Sequence, residues 1–324
     1  MTSRTITANT GLSLISGHVG AQAPEYAQRF SRREPFRHVV IDDFFSTEFA
    51  DRLLAEFPPF ERGSARAENG ALGNKSTVER IRELGESYAA LDDLIQSREL
   101  LDLIGRITSI PDLLYDPWYF GGGTHESREN QDLDPHVDFN RHPVEHWHRR
   151  LNLIVYLNHE WDEAWGGSLD LHSDPRADDD RVIRIAPLFN RCVIFETTES
   201  SWHGFSRIAL PESRKPLTRK SIALYFYSRE RPPEEIADTH STIYVDRPLP
   251  DRFRPGVTLN EDDVAVLRML IARRDQHNQR LYAEITRLTK EAEEARRALE
   301  SGMLGGVRRL LWRIRGRQHK GRPP

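Results

Sequence analysis

The sequence predicts a mainly β protein: a double-sheet barrel of the jelly-roll, cupin-like kind, preceded by α-helices and followed by a C-terminal coiled-coil helix. Three observations carry this. After Trp118 come eight short segments rich in β-branched and aromatic residues, separated by Gly, Pro, Asp and Asn. Before Pro111, leucines and isoleucines recur at three- and four-residue steps. Beyond residue 260, an apolar seam persists over five heptads.

Residues 1–34 are polar and aperiodic and are expected to be poorly ordered. One main domain is expected over 35–230, starting with a strand in "FRHVVIDDF" (36–44). Ser46 is placed to cap a helix whose Phe49, Leu53, Leu54 and Phe57 share one face, and Pro58-Pro59 ends it. Residues 61–76 read as a polar loop, and 78–97 and 99–109 as helices. The eight strands follow in "WYFGGGTHE", "PHVDF", "RLNLIVYLN", "GGSLDLH", "RVIRIAP", "RCVIFET", "WHGFSRI" and "KSIALYFYS". Proline-rich residues 231–260 read as a linker, 261–301 as the coiled-coil helix and 302–324 as a basic tail.

In that helix, Val264, Leu267, Ile271, Arg274, Asn278, Leu281, Ile285, Leu288, Ala292, Ala295 and Leu299 step alternately by three and four. Isoleucine at one core position and leucine at the other favour a parallel two-stranded coil, in which Asn278 would fix the register. The expected partner is a second copy of the chain. The competing reading is a helix packed back on its own barrel.

The 324 residues carry a net charge of −4, with 15 Lys/Arg against 9 Asp/Glu from Glu261 onward. A basic end on an acidic body suggests that the tail meets an anionic membrane surface or an acidic partner. Nucleic acid is disfavoured, because no aromatic platform or recognition module accompanies the charge. A single cysteine, Cys192, excludes an intrachain disulfide framework. With no long apolar run and no evident signal peptide, a cytoplasmic location is expected, peripheral at a membrane if the tail docks there.

Histidines and carboxylates crowd residues 134–172. His136 and Asp138 are two apart, which in a strand places both on one face. His203, 67 residues later in another strand, can supply a second imidazole. Two histidines and one carboxylate on one side of a metal leave the opposite positions open, the geometry of non-haem Fe(II) oxygenases. A bare His-x-Asp pair is weak on its own. His142, His146, His148 and His159 are expected to be solvated or core-satisfied, with His148 nearest the site. Gly121-Gly122-Gly123 lacks the lysine of a phosphate loop and reads as a strand edge. Gly166-Gly167 is expected to let backbone pass close to a cofactor, and Asp178-Asp179-Asp180 to form a solvated tip.

The stretches "HVDF" (136–139), "RRLNLIVYLN" (149–158), "EWDEAWGGSLDLH" (160–172), "FETTESSWHG" (196–204) and "RKSIALYFY" (219–227) resemble the Fe(II)- and 2-oxoglutarate-dependent dioxygenases of the prolyl 4-hydroxylase-like group. The resemblance runs in the family's order over about 36–228. It implies a double-stranded β-helix with His136, Asp138 and His203 as metal ligands. It further implies that Arg219 binds the distal carboxylate of 2-oxoglutarate, with Ser221 as a helper and the Tyr156 hydroxyl on the same carboxylate. An arginine fork suits a carboxylate. Because both faces of that strand carry apolar residues, alternation does not decide between Arg219 and Lys220. Arg207, Arg214 and Lys215 are further alternatives, and the 16 residues from His203 to Arg219 are longer than in many relatives. "LDP" replaces the glycine-rich turn that often precedes His-x-Asp in the family.

The resemblance implies Fe(II), 2-oxoglutarate and O₂ as reactants, ascorbate as a supporting reductant, and hydroxylation of an organic or protein substrate that the sequence does not identify. Asp138 favours hydroxylation over halogenation, which needs its coordination position for halide. The alternative function is a non-catalytic oligomeric scaffold on a metal-binding jelly roll.

Overall fold

The computed structural model describes residues 11–66, 72–246, 249–250 and 252–301. The chain divides into two compact units, 1–249 and 250–324. The basic tail expected at 302–324 lies outside the described residues.

In the first unit the strands are β1 (His38–Ile41), β2 (Ser64–Arg66), β3 (Leu72–Val78), β4 (Leu114–Tyr115), β5 (Gly123–Ser127), β6 (Leu133–Val137) and β7 (His148–Tyr156). They continue as β8 (Leu169–His172), β9 (Val182–Ile185), β10 (Cys192–Glu196), β11 (His203–Phe205), β12 (Arg219–Ser228) and β13 (Ile243–Tyr244). The helices are α1 (Gly17–Ala21), α2 (Ala23–Phe30), α3 (Thr47–Ala55), α4 (Glu86–Gln96) and α5 (Arg98–Thr108). Each of the eight expected core strands is present.

The strands form two antiparallel sheets. The major sheet runs β1-β10-β7-β12-β5-β3-β2, with β4 also on β12, and the minor sheet runs β13-β6-β11-β8-β9. Strand alternation divides the major sheet cleanly. Ile222, Leu224 and Phe226 of β12, with Leu151, Leu153 and Val155 of β7, join the helices in one large buried core. Ser221, Ala223 and Tyr225, with Asn152 and Ile154, turn the other way and line the cavity between the sheets.

Ser46 caps α3 by accepting from the Phe49 N–H, and Ser97 does the same for α5. Three sequence expectations need correction. Residues 17–30 are helical and buried through Val19, Ala23, Tyr26 and Phe30. Their four- and three-residue spacing is an amphipathic stripe inside a polar composition. The stretch 61–76 is not a loop throughout, since β2 and β3 pair there and extend the major sheet through β5. The segment 231–260 is not a simple linker. Ile243 and Tyr244 pair with Val137 and His136, so this chain returns to the edge of the minor sheet.

The second unit contains α6 (Glu261–Ser301), one uninterrupted helix. Asn260 and Asp263 cap its start reciprocally, each side chain accepting the other's backbone N–H. Ile271, Leu281, Ile285 and Leu288 on its seam are all exposed. No helix among the described residues is long and apolar enough to cross a membrane.

Candidate metal centre and cosubstrate pocket

A cavity of about 370 Å³ lies between the two sheets. His136 on β6 and His203 on β11 are direct cross-strand partners, so their rings share a face, with centroids 4.3 Å apart. Asp138 follows two residues after His136 on the same side. One ligand atom from each of the three lies within 4.8 Å of the others, and all three residues are buried.

The hydrogen bonds settle which nitrogens are available. His136 Nδ1 donates to the Asp134 carbonyl at 2.9 Å and His203 Nδ1 to the Ser201 carbonyl at 2.9 Å. A carbonyl only accepts, so each Nδ1 carries the proton and each Nε2 presents a lone pair. Those nitrogens face the Asp138 carboxylate, His136 Nε2 at 3.8 Å from Oδ1 and His203 Nε2 at 3.5 Å from Oδ2. Burial, reinforced by His203, pushes His136 down to about 3, and burial also lowers His203. Both imidazoles are therefore neutral at physiological pH, as ligation requires. Burial alone would raise the Asp138 carboxyl, but Arg149, the two histidines and the Asn152 hydrogen bond outweigh it and hold the group below its usual range. The donor set fits a divalent transition metal.

Across the cavity, Arg219 is buried at the start of β12. Its Nε donates to the Gly167 carbonyl at 2.6 Å and its NH2 group to the Tyr156 hydroxyl at 3.2 Å. Its guanidinium lies 4.4 Å from the Phe205 ring centroid. Among the described residues no carboxylate lies within ion-pair distance of it, although the Asp170 charge acts on it from further away, and a buried guanidinium facing the cavity favours an anion there. Ser221 follows on the same face. Gly167 has φ +71, and a Cβ there would meet Trp161 at 2.9 Å and the Arg219 Cδ at 3.4 Å. Only glycine lets that carbonyl approach the guanidinium, so the close backbone approach at Gly166-Gly167 is to Arg219.

The alternatives to Arg219 are engaged elsewhere. Lys220 points to the opposite face, where it pairs with Glu126 at 3.1 Å. Arg214 pairs with Glu160, Lys215 with Glu212, and Arg207 donates to the Asn130 carbonyl. The other histidines stay off the metal cluster. His142 is fully buried and satisfied by Asp116 and the Val144 and Glu145 N–H groups. His159 stacks on Phe189 and pairs with Asp51. His148 pairs with Ser228 and does not reach the cavity, contrary to expectation.

Cavity residues that escaped the sequence reading include His125, Lys75, Tyr244 and Thr242. His125 faces the cavity from β5 and donates through Nε2 to the Gly121 carbonyl at 3.1 Å, and burial keeps it neutral. Lys75 enters from β3, in the stretch read as a loop. Tyr244 and Thr242 enter from the segment read as a linker. Tyr244 sits in the β-branched and aromatic run "STIYV" (241–245), the signal that was there to be found.

Residues 123–227 match the family model described as the 2OG-Fe(II) oxygenase superfamily. That stretch carries every ligand candidate named above and is similar to a 2OG-Fe(II) oxygenase domain. Among curated proteins, the chain is 35% identical over 89 residues to prolyl 3-hydroxylase OGFOD1 of Mus musculus. It is 34% identical over 92 residues to the Xenopus laevis protein of that name. These matches cover 26% and 27% of this chain, but only 16% and 17% of the relatives' own length. Among solved structures, a prolyl hydroxylase of Trichoplax adhaerens in complex with a hypoxia inducible factor peptide fragment aligns with TM-score 0.47 and 14% identity, over 67% of this chain and 96% of that one. A prolyl 4-hydroxylase of Pseudomonas putida aligns with TM-score 0.42 and 16% identity, over 64% and 100%.

Proposed function

We propose that the chain is an oxygenase that couples oxidative decarboxylation of 2-oxoglutarate to hydroxylation of an organic substrate. The observation that supports this reading best is the pairing of two sites across one cavity. His136, Asp138 and His203 form an open-faced ligand set on the minor sheet, and Arg219 presents a buried guanidinium, with no carboxylate in ion-pair distance among the described residues, from the major sheet.

Iron bound by the two Nε2 atoms and the Asp138 carboxylate would supply activation of O₂. The remaining work falls to the chain itself. Arg219 binds the distal carboxylate of the cosubstrate, and the Tyr156 hydroxyl, held against Arg219, orients it. Ser221 completes the polar end of the pocket. Phe120, Tyr225 and Tyr244 wall the cavity with rings and exclude water from the reacting end. His125, neutral and donating to Gly121, keeps an acceptor nitrogen in the cavity without adding charge.

The substrate is an organic molecule or a protein side chain. A peptidyl proline is the first candidate, suggested by the names of the curated relatives. Homodimerisation through α6 belongs to the same proposal, supported by the exposure of Ile271, Leu281, Ile285 and Leu288 along one heptad seam. A cytoplasmic location is supported by a single, buried cysteine.

The test is succinate release from 2-oxoglutarate by the full-length protein with Fe(II), O₂ and ascorbate. Fe(II)-dependent release that Asp138→Ala abolishes supports the reading. Release that Asp138→Ala leaves intact would move the chemistry away from this cluster.

A further inference from the structure

The carboxylate ligand has an unusual neighbour. Arg149, on β7, is fully buried. Its NH2 group lies 3.1 Å from Asp138 Oδ2, and its Nε and NH2 donate to Asn152 Oδ1 at 3.2 and 2.8 Å. The Asn152 amide in turn donates to the same Asp138 Oδ2 at 2.7 Å. The guanidinium is held between two rings, 3.7 Å from the Tyr225 centroid and 4.3 Å from that of Phe139.

Strict alternation would put Arg149 with Leu151 in the helix-side core. A bulge prevents this: Phe226 pairs with Leu151 and the next residue, Tyr227, with Arg149, which leaves Arg150 as the extra residue. The register shift brings Arg149 to the face of Asn152. A buried guanidinium is costly unless paired, and its position beside a metal ligand rather than in a surface ion pair has an electrostatic consequence.

A divalent ion beside Asp138 alone would leave one net positive charge in the centre. Arg149 raises that to two at the metal position itself, while Arg219 adds positive charge further along the cavity, where Lys75, Glu79 and Asp132 are the other charged lining residues. The 2-oxoglutarate dianion removes two. We propose that Arg149 is a positioning residue acting through Asp138. It fixes Oδ2 with Asn152, leaving Oδ1 as the oxygen without a hydrogen-bond donor among the described residues. It also offsets the ligand's charge, so that the metal ion is held firmly only together with its dianionic cosubstrate. The inference rests on the metal-site reading above and deepens it: the site is built to load metal and cosubstrate as a unit.

The test is Mn(II) binding to the metal-free full-length protein, read from the electron paramagnetic resonance signal of free Mn(II), with and without 2-oxoglutarate. Three variants accompany the wild type, with folding checked by circular dichroism. Arg149→Met keeps the volume and removes the charge. It is expected to bind Mn(II) alone about ten-fold more tightly or better, because a like charge a few ångströms away is gone, and the enhancement by 2-oxoglutarate shrinks to match. Arg149→Lys keeps the charge and is expected to retain the wild-type enhancement. Asn152→Ala removes the amide, keeps the charge, and is expected to retain it too. Should Arg149→Met fail to fold, the other two decide. Loss of the enhancement in Asn152→Ala or Arg149→Lys would show that the fixing of Oδ2, and not the Arg149 charge, couples metal to cosubstrate, and would overturn the inference that the two load as a unit through charge. So would weaker Mn(II) binding in a folded Arg149→Met. Wild-type protein that binds no Mn(II) at all would overturn the metal-site reading itself.

Discussion

Tyr244 lies nearly flat on His136, with ring centroids 5.1 Å apart and planes 26° from parallel. The contact joins a segment from beyond the last core strand to a metal-ligand candidate on β6. The segment is anchored on both sides: the Val245 N–H donates to the Pro135 carbonyl, and the Asn140 side chain binds the Asp238 carbonyl and the His240 N–H. The ring therefore restricts the imidazole and closes one wall of the cavity.

Removing that ring loosens the ligand. A ring–ring contact contributes about 0.5–1.5 kcal/mol beyond burial, so Tyr244→Ala is expected to weaken Mn(II) binding by about 2- to 10-fold. It is also expected to raise the ratio of succinate formed to product hydroxylated, because water gains access. Unchanged affinity and coupling would make the stack incidental.

Arg219 and Lys220 give opposite outcomes. A hydrogen bond to a charged group is worth about 1.5–3 kcal/mol, so Arg219→Ala raises the KM for 2-oxoglutarate by about 10- to 150-fold. Lys220→Ala, which removes the contacts with Glu126, Thr218 and Phe57 on the other face, leaves it within about two-fold, as expected of a residue outside the pocket. Titration of 2-oxoglutarate against both variants decides it. The reverse ranking would put the cosubstrate on the other face of β12.

The buried histidines make the metal-free protein acid-sensitive. His136 drops from the ordinary 6.5 to about 3 in the folded chain, so below 6.5 the unfolded chain binds a proton that the folded chain refuses. The stability this neutral imidazole contributes is full above about pH 6.5 and is lost as pH falls toward 3, with His203 and His125 acting in the same direction. The Tm of metal-free protein is therefore expected to fall between pH 7 and 5. Mn(II) with 2-oxoglutarate should move that fall to lower pH, since metal competes with protons for Nε2. Thermal melts across that range with and without metal provide the measurement, and a flat profile would contradict the burial of these rings.

The seam of α6 predicts the assembly. Leu281→Asp with Ile285→Asp changes two exposed side chains and should leave each chain folded. It is expected to convert a full-length dimer into a monomer in light scattering, with 2-oxoglutarate turnover retained. A wild-type monomer, or a dimer that survives the double substitution, would contradict a seam-mediated dimer.

Much of the barrel was legible because period-2 patterning and turn residues mark strands locally. The two histidines and Asp138 could be read from spacing joined to the order of family motifs. Other features depended on what spacing cannot show. Arg149 reaches the site through a bulge that breaks alternation, so parity assigns it to the wrong face. Which of Arg219 and Lys220 faces the cavity could be read only from the partners of both faces: Ser221, Ala223 and Tyr225 line the cavity, whereas Ile222, Leu224 and Phe226 join the helical core. Tyr244 becomes part of the site only because its strand pairs with a segment more than a hundred residues earlier. The helices at 17–30 were hidden by overall polarity, although Val19, Ala23, Tyr26 and Phe30 carry the stripe.

The most direct test of oxygenase function is isotopic. Full-length protein is incubated with Fe(II), 2-oxoglutarate and cell extract under ¹⁸O₂, and extract species are searched by mass spectrometry. The account predicts a species that gains one ¹⁸O atom with wild-type protein and does not with Asp138→Ala, accompanied by succinate. Wild-type protein that forms no succinate and labels no species, or that labels a species no better than Asp138→Ala does, would contradict it.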